Sequence, residues 1–142
     1  SVQGALLPIR NQSTQHGFLK GTDLAILQSE ASIAIVPSLW SEPAGLTVME
    51  ALMYGCALIT TDKGGIPETA TGRAEIAAIH HLDINSDVDR EKIIDIFAQK
   101  LQKLLARPET VRRLQDKAWH DFPFNARNMA VNADNYRLCV KS

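Results

Sequence analysis

Seven residues separate Glu42 from Glu50 in the run Pro37-Ser38-Leu39-Trp40-Ser41-Glu42-Pro43-Ala44-Gly45-Leu46-Thr47-Val48-Met49-Glu50-Ala51. An apolar, strand-like segment (Ile33 to Val36) comes before the run, and a helical pattern starts inside it at Leu46. The first turn of a helix has backbone N–H groups without an intrahelical acceptor, together with the positive end of the helix dipole. Gly45, at the mouth of that turn, lets a ligand come close to the backbone. Gly45, Leu46 and Thr47 can present N–H groups to an anion there, and the Thr47 hydroxyl can reach a phosphate oxygen. Glu42 lies before the turn and Glu50 one turn inside the helix.

Most of these residues also have an ordinary structural reading. Thr47-x-x-Glu50 fits a capping box, in which Glu50 only reaches back to a backbone N–H. Glu42 alone would be a solvated loop carboxylate, and Gly64-Gly65 could simply serve a turn. Trp40 is expected to pack rather than stack, and Lys63 to be a solvated loop lysine. His16, His80, His81 and His120 show no metal-ligand spacing and are given no role. Arg107, Arg112, Arg113 and Lys117 read as a solvated basic helix face. No Gly-x-Ser-x-Gly elbow, Cys-His pair or phosphate-binding P-loop is present, and a metal is not implied, because the helix terminus occupies the place a cation would fill.

Short runs rich in Val, Ile and Ala alternate with helical patterns, as in βαβ units with a parallel sheet. Val2 to Ile9 is ambiguous, with a strand as one reading. Gly21-Thr22-Asp23 reads as a turn and N-cap, followed by Leu24, Leu27 and Ala31 at helical spacing. Ile33 to Val36 is a strand stopped by Pro37. Leu46 to Tyr54 reads as a helix with Leu46, Met49 and Leu52/Met53 inward and Gly55 as its stop. Ala57 to Thr61 is the next buried strand, then the Asp62-Lys63-Gly64-Gly65 turn, a short helical turn over Ile66 to Thr69, and a third strand over Ala74 to Ile79. Asn85-Ser86-Asp87 offers a cap for a long helix from Val88 to Ala106, with Ile93, Ile94, Phe97, Leu101, Leu104 and Leu105 inward. Pro108 suits the first turn of a further helix, with Val111, Leu114 and Ala118 inward. A last helix is expected after Phe122-Pro123-Phe124, up to about Val140. Ligands of such open sheets sit beyond the carboxyl ends of the strands, where the Pro37 to Gly45 and Asp62 to Glu68 segments belong.

At 142 residues the chain is one domain with one core, and its 45% hydrophobic and 22% charged content is that of a globular protein. A net charge of −1 argues against nucleic-acid binding by bulk electrostatics. No apolar stretch approaches the roughly 18–20 residues of a membrane span, and no signal peptide is visible. Cys56 and Cys139 form no disulfide framework and read as reduced, buried thiols. The chain starts at Ser1 without a clear first element, which fits a piece of a larger protein.

The Glu42/Glu50 spacing, followed by Gly64-Gly65-Ile66-Pro67-Glu68, resembles the E-x7-E and G-G-x-P-E signatures of the retaining glycosyltransferases of family 4. The resemblance covers about residues 17–140, from Gly17-Phe18-Leu19 and Thr22-Asp23-Leu24 onward. It implies an α/β, Rossmann-like parallel sheet flanked by helices, part of the C-terminal domain of a two-domain (GT-B) enzyme. Residues 1–142 would be that nucleotide-sugar-binding domain, without the N-terminal acceptor domain or the start of the donor domain.

The donor would be a UDP- or GDP-sugar, and the acceptor a glycan, a lipid-linked or a small molecule. Glu42 would be the catalytic acid, touching sugar hydroxyls near the reacting carbon. Glu50 would accept hydrogen bonds from the ribose diol, for which a carboxylate is well suited. Ala44, Gly45, Leu46 and Thr47 would line the substrate, with Gly64 and Gly65 as secondary candidates. Pro43 and Ala44 stand where the family commonly has G-F, so one N–H donor and one aromatic ring are missing. No metal and no cofactor besides the donor are implied. The expected location is cytoplasmic, or peripheral to a membrane in the full-length protein. The isolated chain is expected to be inactive and to self-associate through a bare sheet edge. The alternatives are a nucleotide-sugar epimerase or phosphorylase on a related fold, and a non-catalytic module of the same fold used for protein contact.

Overall fold

A computed structural model describes residues 7–123. In chain order they form a single 3-10 turn (Leu7–Ile9), α1 (Gly21–Glu30), β1 (Ile33–Ile35), α2 (Leu46–Met53), β2 (Ala57–Thr61), α3 (Ile66–Ala70), β3 (Ala74–Ala77), α4 (Asp87–Leu105) and α5 (Pro108–Asp121). The three strands make one parallel sheet in the order β1-β2-β3, with Ile33 opposite Ala57 and Leu58 opposite Ala74. The helix expected to end near Val140, and Cys139 with it, lie outside the described residues. The strand reading over Val2 to Ile9 is replaced at Leu7–Ile9 by the 3-10 turn, and the rest of that segment lies outside the described residues.

Alternation along the strands divides the core into two faces. Ala34, Leu58, Ala74 and Ile76 face α2, α3 and the end of α5, where Val48, Ala51, Leu52, Ile66, Ala70, Ala118 and Phe122 are buried. Ile33, Ala57 and Ile59 face α4 and the start of α5, through Phe97, Leu101, Leu104, Val111 and Leu114. β2 is buried at every position, as a central parallel strand covered on both faces must be. Ser86 caps α4 by accepting the Asp89 N–H at 3.3 Å, and Pro108 opens α5, both as expected.

Several inward faces differ from the sequence reading. α1 starts at Gly21 after Lys20, so Gly21-Thr22-Asp23 is its first turn rather than its cap. No residue of α1 is fully buried, and Leu27 is exposed. In α2 the buried side chains are Val48, Ala51 and Leu52, whereas Leu46 is 72% exposed. The segment Leu46-Thr47-Val48-Met49-Glu50-Ala51-Leu52-Met53 is apolar nearly all round, so a 3.6-residue period fits two faces equally well. Ile94 and Leu105 of α4 are likewise exposed. Cys56 is buried as expected; its thiol donates to the carbonyls of Gln28 (3.4 Å) and Ala31 (3.5 Å), and burial raises its pKa.

Candidate functional site

Parallel strands put all their carboxyl ends on one edge, so the segments leaving β1, β2 and β3 meet there. The β1 exit loop holds Glu42 and the β2 exit loop holds Gly64-Gly65. The two loops are locked together through backbone atoms. Gly65 N–H donates to the Glu42 carbonyl at 2.8 Å. A Cβ on Gly64 would collide with that carbonyl and stand 2.7 Å from the Glu42 nitrogen; one on Gly65 would collide with the Pro43 carbonyl. The glycine pair is thus required by the close approach of the Glu42–Pro43 peptide, which goes beyond the needs of a turn.

Polar side chains of β2 complete the lock. Thr60 Oγ1 donates to the Val36 carbonyl at 3.1 Å, and the fully buried Thr61 donates through Oγ1 to the Ser38 carbonyl at 2.8 Å. Ser38, itself nearly buried, donates through Oγ to Glu42 Oε1 at 2.7 Å. The Glu42 side chain is therefore held by a hydroxyl that is in turn fixed by β2. Sequence reasoning missed Ser38; its place four residues before an acid in the loop was the available signal.

Gly45 takes a left-handed conformation (φ +63°) as N-cap of α2, and a Cβ there would approach Ile66 Cγ1 to 3.0 Å. Both the turn and the packing call for glycine. The first bond of the helix runs from Met49 N–H to the Gly45 carbonyl, 3.0 Å. Among the described residues the amides of Leu46, Thr47 and Val48 consequently have no backbone acceptor. With Gly45 as the cap, Thr47 stands inside the first turn, and no side chain caps the helix. The capping-box reading of Glu50 is removed by that geometry. Glu50, Thr47 and Ala44 are exposed, and Glu42 is half-buried. The sequence-selected residues 42, 44–47 and 50 thus lie on one loop and the helix it opens, with Gly64 and Gly65 behind them.

Two other side chains differ from expectation. Trp40, expected to pack, is 69% exposed. His80, which was given no role, ties the β3 exit to the β2 exit: its Nδ1 pairs with Asp62 Oδ2, while Asp62 Oδ1 accepts the Ile79 N–H at 2.8 Å. Lys63, half-buried, donates to the His80 carbonyl at 3.3 Å. Burial pushes the Asp62 carboxyl up, but the hydrogen bonds from His80 and Ile79 and the attraction of the imidazole outweigh it and hold the group below the ordinary aspartate value. Among the described residues no three His, Cys, Asp or Glu side chains are grouped to hold a metal, and no helix is long and apolar enough to cross a membrane.

The model of the family described as glycosyl transferases group 1 matches residues 5–120. The chain belongs to this family. Among curated proteins, this group 1 chain is 34% identical over 85 residues to alpha-maltose-1-phosphate synthase of Mycolicibacterium smegmatis, a match over 59% of the chain and 20% of that protein. It is 28% identical over 131 residues to glycogen synthase 1 of Rhizobium meliloti, a match over 84% of the chain and 27% of that protein. The solved structure of a sucrose-phosphate synthase from Thermosynechococcus elongatus superposes with a TM-score of 0.60 at 24% identity, over 99% of this chain and 34% of that one. That likeness establishes the fold, a parallel sheet flanked by helices of GT-B type. The group 1 chain spans about a third or less of the length of each of these proteins.

Proposed function

We propose that the chain forms the donor-binding part, from the C-terminal domain, of a retaining glycosyltransferase that transfers a hexosyl group from a UDP- or GDP-sugar. The acceptor is a glycan, a lipid-linked or a small molecule, bound with the help of parts of the enzyme beyond these 142 residues. The observation that supports this reading is that the first-turn amides of α2, which come between Glu42 and Glu50 in the chain, have no backbone acceptor among the described residues. When the bond from the anomeric carbon to the nucleoside diphosphate breaks, negative charge builds up on the leaving phosphate and positive charge on the sugar. The amides of Leu46, Thr47 and Val48, the Thr47 hydroxyl and the helix dipole face the first charge. Glu42, oriented by Ser38, faces the second and binds sugar hydroxyls; Glu50 receives the ribose diol. The relatives are named as synthases of alpha-maltose-1-phosphate and of glycogen, and membership of the glycosyl transferases group 1 family supports the same class. In this reading the full-length protein works in the cytoplasm or peripheral to a membrane and needs no metal, and the 142-residue chain does not turn over by itself.

Titration calorimetry of the chain with UDP and GDP tests the assignment. Loss of a hydrogen bond to a charged group costs about 1.5–3 kcal/mol, roughly tenfold or more in Kd. Glu50→Ala is therefore expected to lose that affinity for the sugar-free nucleotide, and Glu42→Ala to lose little. Equal losses would mean that the two acids have been given the wrong roles.

A further inference from the structure

Trp40 stands two residues before Glu42 with its indole 69% exposed. Among the described residues its N–H has no acceptor. Its neighbour Leu39 packs into the cluster with Ile79 and Ile93, so the loop has an apolar anchor that leaves Trp40 out. The loop cannot fold over to cover the ring. Ser38 is bonded on one side of Trp40 by Thr61, Glu42 on the other by Gly65, and Ser38 Oγ spans the interval to Glu42 Oε1. A large ring left in water on a fixed loop gives up the stabilisation that its burial would bring. Beyond Glu42, Leu46 is also exposed, to 72%. Two large exposed apolar side chains thus stand in the chain on either side of Glu42, the second at the first position of α2.

A pyranose has the matching form: hydroxyls around its edge for Glu42, and a C–H face that prefers an apolar platform. Resting on the donor-site reading above, we propose that Trp40 is a specificity-determining residue for the transferred sugar. Its ring lies against the C–H face, and its N–H is free to donate to one sugar hydroxyl. Pro43-Ala44 leave the loop without an aromatic ring after Glu42, and Trp40 supplies one before it.

The test is calorimetry of the 142-residue chain and its Trp40→Ala and Trp40→Phe variants. The probes are UDP-glucose and GDP-mannose, each compared with its nucleoside diphosphate. The wild-type chain should bind at least one sugar nucleotide more tightly than the diphosphate. Trp40→Ala should weaken that sugar nucleotide about three- to tenfold and leave the diphosphate unchanged, while Trp40→Phe retains most of the affinity. Unchanged thermal melting of both variants checks that the loop keeps its fold. An equal loss for sugar nucleotide and diphosphate would place the indole against the base and overturn the proposal, as would no loss for either. Failure of the wild-type chain to bind any of the four probes would overturn the donor-site reading itself, and this proposal with it.

Discussion

Gly65→Ala separates steric packing of the two site loops from backbone strain. Gly65 has φ −84°, which any residue can adopt, so alanine meets no conformational penalty there. The added Cβ instead collides with the Pro43 carbonyl and must push the Glu42–Pro43 peptide away. Overpacking of this kind costs about 1–3 kcal/mol, and the lost Gly65-to-Glu42 hydrogen bond about 0.5–1.5 kcal/mol. The sum, about 1.5–4.5 kcal/mol, is below the total stability of an ordinary domain, about 5–15 kcal/mol, so the variant should fold. At mid-range values, about 3 kcal/mol over a urea slope of about 2 kcal/mol per molar, the unfolding midpoint should fall by roughly 1.5 M. Gly72→Ala is the control: φ is +78° and nothing lies within 4 Å of an added Cβ, so only backbone strain of about 1–2 kcal/mol is expected. Both variants should lose stability, but only Gly65→Ala should lose nucleotide-sugar affinity, because only it displaces Glu42. A Gly65→Ala chain with the stability and affinity of the unaltered one would refute the loop lock.

Asp62→Asn should cost about 1–3 kcal/mol at neutral pH, from weakened bonds to His80 and Ile79. Because the folded-state carboxyl is held below its unfolded value, its contribution is complete above about pH 4 and disappears as pH falls through the lower folded value. Urea melts of the two proteins should therefore converge in strong acid; a gap undiminished at pH 2 would contradict this. The chain is also expected to dimerise at micromolar concentration through the edge of β1 that is unpaired among the described residues, where Ile35 is 44% exposed beside an apolar groove of about 450 Å³ formed with Ile94, Phe97 and Leu101 of α4. Light scattering that returns 15.6 kDa would rule the dimer out.

The strands, the long capped helix and the edge that holds the acids were legible because each has a local signature. Ile33 to Val36 and Ala57 to Thr61 are uninterrupted apolar runs of strand length, and Ser86 and Pro108 are end signals with a direct backbone reason. Helix faces were harder to read. Leu46, Ile94 and Leu105 match a helical period as well as their buried neighbours do, and only the sheet decides which side is inward. The acids and glycines of the candidate site were selected by spacing, but the packing that the glycines allow was not legible. Their role depends on the Pro43 carbonyl, some twenty residues away in the chain. The Asp62–His80 pair was missed for the same reason, since it joins two loops that only the parallel sheet brings together, whereas Ser38 acts on Glu42 within one loop and is fixed there by Thr61 of β2.

The locking of the two loops through main-chain atoms has an evolutionary consequence. Gly65 N–H, the Glu42 and Pro43 carbonyls and the Ser38 carbonyl are present whatever side chains surround them. Positions 40, 44 and 46, which are exposed, can therefore be exchanged without loosening the frame that holds Glu42. Under the donor-site proposal, a lineage of such proteins can drift from one sugar to another by single substitutions at these three places, while Gly64 and Gly65 stay fixed because any larger residue would pry the frame open. Selectivity can diversify quickly on a support that hardly changes.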